Sequence, residues 1–218
     1  YERGLTEIFQ KQNEEIRFQA KARTNIANML ENYTCADESL STTQAKEVRK
    51  WAYNDTLHDA HILHELPNSQ IHLVKNFITV EECDAFQAAA ARLLHRGTVA
   101  NGSGGSRLSD NRKAWQAGIR VPWEKEADGD HIAQYTRRMY AYANHATGYG
   151  MDVAGQENVM SIQYFGQDGE HPPGSTYSSE TPDRYTPHCD GNCEGLPHRN
   201  GARVATMVSY CTAPTRGG

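Results

Sequence analysis

The sequence predicts an α+β chain, with helices first and strands separated by long polar loops after them. Three observations carry this. Apolar residues recur at helical spacing at the start of the chain, after Thr79 and after Asp130. The period then changes to two: Met160, Ile162 and Tyr164 point one way, Ser161 and Gln163 the other. Gly, Pro, Ser and Thr crowd the tract from Gly166 to Asp183, between that segment and the next candidate strand.

Residues 4–32 read as a helix, with Leu5, Ile8, Phe9, Ile16, Ile26 and Leu30 as a broken apolar stripe. Ser41-Thr42-Thr43-Gln44 has the form of a capping box and predicts a second helix through about His58, with Ala45, Val48 and Ala52 inward. Residues 1–66 are thus expected to be a polar helical extension that docks on a domain or on a protein partner. Pro67-Asn68-Ser69 breaks the pattern and opens a domain of residues 67–218. Ile71 to Val74 reads as a strand. Thr79-Val80-Glu81-Glu82 is a second capping box, starting a helix that buries Cys83, Phe86, Ala90, Leu93 and Leu94 and stops at Gly97. The Gly-rich tract from Asn101 to Ser106 lacks the Lys-Ser/Thr ending of a phosphate-binding loop. Ala114 to Val121 is expected to be extended. Asp130 caps a helix carrying Ile132, Tyr135, Met139, Tyr142 and Ala146, which Gly148 stops. Two further strands are expected, Tyr185 to Asp190 and Arg203 to Cys211, the latter with Val204, Thr206, Val208 and Tyr210 on one face.

Composition bounds the function. A chain of 218 residues makes one large domain, or a domain with an extension. Mean hydropathy is −0.75, which is polar. Even so, 11 Tyr, 5 Phe and 3 Trp supply anchors for a core and exclude wholesale disorder. No apolar run approaches the roughly 18 residues of a membrane span. A net charge of −5 without a Lys/Arg block excludes a nucleic-acid groove as the main business. The 5 Cys include no CxxC pair, which excludes a zinc ribbon or a thioredoxin site. Sequons at Asn32, Asn54 and Asn101 point toward the secretory pathway, in the endoplasmic reticulum or Golgi lumen, with a cytoplasmic location as the alternative. Tyr1 in place of Met, and Arg216-Gly217-Gly218 at the other end, read as part of a longer chain.

The strongest chemical feature is Tyr185-Thr186-Pro187-His188-Cys189-Asp190-Gly191. On a strand, residues i and i+2 share a face, so His188 and Asp190 would offer an imidazole nitrogen and a carboxylate to one ion. These are two members of a 2-His-1-carboxylate triad. Other clusters compete less well. His58, His61 and His64, with Asp55 and Asp59, would share a helical face, but read better as exposed residues at a helix end. Asp168, Glu170 and Glu180 have no apolar pocket to tune a hydrolase pair. Cys189 and Cys193 are candidates to pair with each other or with Cys211 in an oxidising compartment, or else are free small apolar residues.

Five segments in order resemble the prolyl 4-hydroxylase type of Fe(II)/2-oxoglutarate dioxygenase: Asn76 to Cys83, Ser106-Arg107-Leu108-Ser109, Ser161 to Gly166, Tyr185-x-x-His188-x-Asp190, and Arg203 to Cys211 with the Gly217-Gly218 turn. The resemblance covers residues 71–218. It implies a double-stranded β-helix flanked by helices, partial in this chain. It makes His188 and Asp190 metal ligands and the only catalytic groups, with Tyr164 and Tyr210 binding 2-oxoglutarate, and Tyr185 and Arg107 on the substrate side. The implied cofactors are Fe(II), 2-oxoglutarate and O2, with ascorbate in support, and the implied substrate is a proline-containing peptide. The family's second His ligand and its 2-oxoglutarate-binding basic residue would lie beyond Gly218. His198, in a polar loop, is not expected to be the third ligand. The alternative function is an inactive hydroxylase-fold interaction protein, or a subunit of a larger assembly, gripping a Pro-rich or glycosylated partner.

Overall fold

The computed structural model describes residues 2–29, 39, 41–67, 69–100, 105–109, 112–166, 171, 173–176, 178, 183–185, 188, 190 and 203–213. It is a mixed α+β chain with several small antiparallel sheets. Two compact units are present: residues 1–77 with 189–218, and residues 78–188. Cys35, Asp168, Glu170, Glu180, Cys189, Cys193, His198, the sequons at Asn32 and Asn101, and the Gly217-Gly218 turn lie outside the described residues.

The first unit opens with α1 (Glu2–Met29), as the helical spacing predicts. Its stripe is not buried: Leu5, Ile8, Phe9 and Ile16 are all exposed, and Phe18 rests against His64 with ring centroids 5.1 Å apart. The second helix does not form. In its place β1 (Glu47–Tyr53), β2 (Thr56–Leu66) and β3 (Ser69–Val74) build an antiparallel meander. The chain turns between β1 and β2 at Asn54-Asp55, with Asn54 at φ +48°, a region Asn tolerates better than most residues. The β2–β3 hairpin runs through Pro67, so among the described residues of the helical extension expected over 1–66 only α1 is helical.

The reason is a period of two hidden in the segment. Trp51 on β1 and His58, Ala60 and Ile62 on β2 alternate into one buried face. Trp51 stands opposite His58, its ring 5.5 Å away, and Phe77 closes the cluster at 6.1 Å from Trp51. Burying such side chains stabilises by about 1.5–3 kcal/mol each, more than helix propensity offers over the same residues. His58, His61 and His64 consequently do not share a helical face. His58 points into this core, while its neighbour in the series, His61, lies on the other side of the strand.

The second unit follows the sequence more closely. α2 (Val80–Ala90) begins with the expected capping box: the Thr79 hydroxyl accepts from Glu82 N, and Glu82 accepts from Thr79 N. Its buried side holds Cys83, Phe86 and Ala90. It ends at Ala90 rather than Gly97, and Leu93 is exposed. β4 (His95–Arg96) leads through Gly97 to β5 (Thr98–Ala100), which pairs with β6 (Ser106–Leu108). β7 (Arg112–Lys113) precedes β8 (Trp115–Ile119), within the expected extended segment. A 3-10 helix at Trp123–Asp128 and α3 (His131–Thr147) come next. Asp130 caps α3 and Gly148, at φ +70°, ends it, both as read from sequence. β9 (Val159–Gln163) pairs with β8, and β8 with β4. α2 packs on β8 and β9, and α3 on α2, with Phe86 and Tyr135 edge to face at 5.4 Å.

The alternation expected in β9 is present, but the apolar side is the more open one. Met160, Ile162 and Tyr164 are 40–47% exposed. β10 is only Arg184–Tyr185, paired with β7. Of the strand expected over Tyr185 to Asp190, Tyr185 is in a ladder, whereas His188 and Asp190 are not, among the described residues. The strand expected at Arg203 to Cys211 makes no ladder among the described residues; a strand exists only where a neighbour takes its N–H and C=O groups.

Candidate functional site

The site builds from β10. Its register sets Tyr185 opposite Arg112 of β7, and side chains opposite one another in an antiparallel pair share a face. The Arg112 guanidinium lies over the Tyr185 ring, 4.7 Å from the centroid. Its Nη1 donates to the Thr98 carbonyl at 3.4 Å, while its buried Nε has no hydrogen-bond partner among the described residues. Gly97 makes room for the Arg112 stem: a Cβ there would stand 3.4 Å from Arg112 Cγ and Cδ and 3.2 Å from the Ala114 oxygen. Three residues after Tyr185, the His188 imidazole stacks on the same phenol, centroids 3.7 Å apart and planes 21° apart. His188 itself remains exposed. The second unit thus ends in a guanidinium, a phenol and an imidazole assembled around one ring.

Asp190 belongs to the first unit, where its carboxylate is held by two groups. Oδ2 accepts from the Thr206 hydroxyl at 2.7 Å, and Oδ1 lies 3.6 Å from Arg203 Nη1. The rung expected to carry both is not a ladder position at His188 or at Asp190.

The other expected site residues are open to solvent. Tyr164 is 47% exposed and Tyr210 72% exposed. Arg107 is exposed on β6, opposite Val99 of β5. The long loop after β9 is tied at two points. Phe165 N donates to Asp183 Oδ2 at 3.0 Å, and the buried Lys113 ammonium donates to the Thr176 carbonyl at 3.0 Å. A hollow of about 460 Å³ lies in the first unit instead, lined by Lys50, Thr56, His58, Asp59, Lys75 and Asn76 among others. Among the described residues no three His, Cys, Asp or Glu side chains are grouped to hold one metal ion. Cys83 and Cys211 are both in disulfides.

No family model, curated protein or solved structure matches this chain.

Sequence reasoning brought out Tyr185 and His188 but missed Arg112. Within Asp110-Asn111-Arg112-Lys113 it reads as one more charge in a polar connection. Only the β7–β10 register, a pairing over more than 70 residues of chain, puts it against Tyr185. Cys83 was read as a buried small apolar residue, and its burial is correct, but its disulfide had no local sign.

Proposed function

We propose that this protein is an Fe(II)- and 2-oxoglutarate-dependent dioxygenase that hydroxylates peptidyl proline, on a double-stranded β-helix flanked by helices. The observation that carries the reading is the Tyr185-x-x-His188-x-Asp190 run, in which both donor side chains are exposed and each is braced by neighbours. An imidazole nitrogen and a carboxylate oxygen are the donor types of a 2-His-1-carboxylate centre. Hydrogen-bonded or packed outer partners are what orient such ligands. Thr206 donates to Oδ2 of Asp190 and Arg203 Nη1 stands 3.6 Å from Oδ1, so the carboxylate is held by two neighbours. By their chemistry His188 and Asp190 are two of the three protein donors that the reading requires, and iron held by them would supply the redox chemistry with dioxygen and the keto acid.

The chain's own residues bind and orient. The Tyr164 and Tyr210 hydroxyls donate to the carboxylates of 2-oxoglutarate. Tyr185 and Arg107 face the substrate, an extended proline-containing segment of polyproline type. The disulfides at Cys83 and Cys211 favour an oxidising compartment, in keeping with a secretory-pathway hydroxylase.

The test is turnover by the full-length protein with Fe(II), 2-oxoglutarate, ascorbate and a proline-rich peptide. Succinate should form in step with hydroxyproline, and His188→Ala and Asp190→Ala should each abolish both. No succinate above background, or full activity in both variants, overturns the reading and leaves a peptide-binding role.

A further inference from the structure

We infer that Asn54 carries an N-linked oligosaccharide, and that its first sugar packs on Tyr53 and Thr56 at the tip of the β1–β2 hairpin. The inference rests on the secretory-pathway placement proposed above and not on the iron chemistry. Asn54-Asp55-Thr56 is an acceptor sequon, and a bulky sugar on it is tolerated only where the folded chain leaves it open. Asn54, Asp55 and Thr56 are all exposed. Tyr53 pairs with Thr56, so Asn54-Asp55 is a two-residue turn, and hairpin tips of this kind accept added bulk. The disulfides at Cys83 and Cys211 belong to the same oxidising lumen in which such sugars are added. The donor there is a lipid-diphosphate oligosaccharide. The Asn54 amide nitrogen attacks its anomeric carbon and loses a proton; an N–C bond forms, the C–O bond to the diphosphate breaks, and the lipid diphosphate leaves.

The hairpin also offers that sugar a seat. Trp51 and Tyr53 share one face of β1 and stack with centroids 5.4 Å apart and planes 24° apart, and Phe77 stacks on Trp51 at 6.1 Å. Phe77 and Trp51 are buried, whereas Tyr53, nearest the turn, is half-buried. Thr56 stands opposite Tyr53, so its methyl shares that face. Asn54, at φ +48°, holds the turn that sets residues 53 and 56 side by side. One side of a hexose ring is a patch of weakly positive C–H groups. Such a patch suits the negative face of a phenol, as the edge of a second aromatic ring does. The sugar would then continue a stack that begins in the core of the first unit.

The test uses the full chain, directed into the lumen of cultured eukaryotic cells by an added leader. Mass spectrometry of the peptide holding Asn54 should find it glycosylated in the wild type and bare in Thr56→Ala. Each protein is then melted before and after treatment with peptide N-glycosidase, so that a less stable variant is its own reference. Removing the sugars should lower the Tm of the wild type by about 2–4 °C, the shift expected from losing a contact of aromatic-pair strength. The fall should be largely lost in Tyr53→Leu, which keeps the sequon. It should be largely lost also in Asn54→Asp, which removes this sugar alone and keeps a side chain that tolerates positive φ. A bare Asn54 peptide in the wild type overturns the inference. A glycosylated Asn54 with no fall in Tm, or with the same fall in Tyr53→Leu, overturns the seat on Tyr53. Succinate formation by the same samples decides the dioxygenase reading separately, since neither glycan measurement depends on it.

Discussion

Arg138 of α3 donates through Nη2 to Oε2 of Glu82 on α2 at 2.6 Å, and the same oxygen accepts the Thr79 N–H that opens α2. The two side chains are only 14% and 6% exposed. One carboxylate thus caps a helix and joins it to its neighbour. Removing either partner strips the other buried charge of this ion pair, which costs about 3–5 kcal/mol. Glu82→Ala should be the worse of the two, since it also breaks the capping box, worth about 1 kcal/mol. Urea unfolding of both single variants and the double variant checks this; the pair should be strongly non-additive.

Gly97→Ala should destabilise. The added methyl would press on the Ala114 oxygen at 3.2 Å, and that oxygen already accepts Gly97 N at 2.8 Å. Backbone in a ladder gives less than a side chain does. A cost of about 1 kcal/mol is expected, or a fall in Tm of about 2–4 °C. A thermal melt decides it, and a rise in Tm would mean the β4–β8 backbone yields.

Stability should fall with acid. Arg49 donates twice to Glu65, and Arg137 twice to Glu126; each guanidinium holds its partner's carboxyl below the ordinary value of 4.5. With the folded value depressed, the unfolded chain binds protons more readily. The contribution is complete above that ordinary value and is lost as pH falls through the folded ones. Urea midpoints should therefore drop from about pH 6 to about pH 3, and less so in Arg137→Gln. These are surface pairs, so the drop per pair is small.

Thr206→Val should loosen Asp190. The hydroxyl is 2.7 Å from Oδ2, and valine keeps the shape without the donor. On the dioxygenase reading, metal affinity should weaken about tenfold with little change in folding. Co(II) titration beside a thermal melt separates the two effects.

Local structure was the most legible part. Thr79, Glu82, Asp130 and Gly148 announce helix ends because the bonds they make close within four residues of chain. The alternation in β9 was equally plain. The meander was not, because Val48 and Ala52 suit a helical stripe, while the alternation of Trp51, His58, Ala60 and Ile62 is interrupted by the turn at Asn54-Asp55. At the candidate site the donor types were legible at His188 and Asp190. Arg112, over Tyr185, and Thr206, on Asp190, lie far off in the chain and carry no local signal.

By itself the sequence determined the α+β class, the start of α2, both ends of α3, and which side chains have the chemistry to bind a cation. Only the tertiary structure decided that Glu47–Tyr53 and Thr56–Leu66 are strands and that Arg112 meets Tyr185. The physical reason is range. A cap or a turn is settled by neighbours a few residues away, whereas a strand exists only if a distant segment arrives to share its hydrogen bonds.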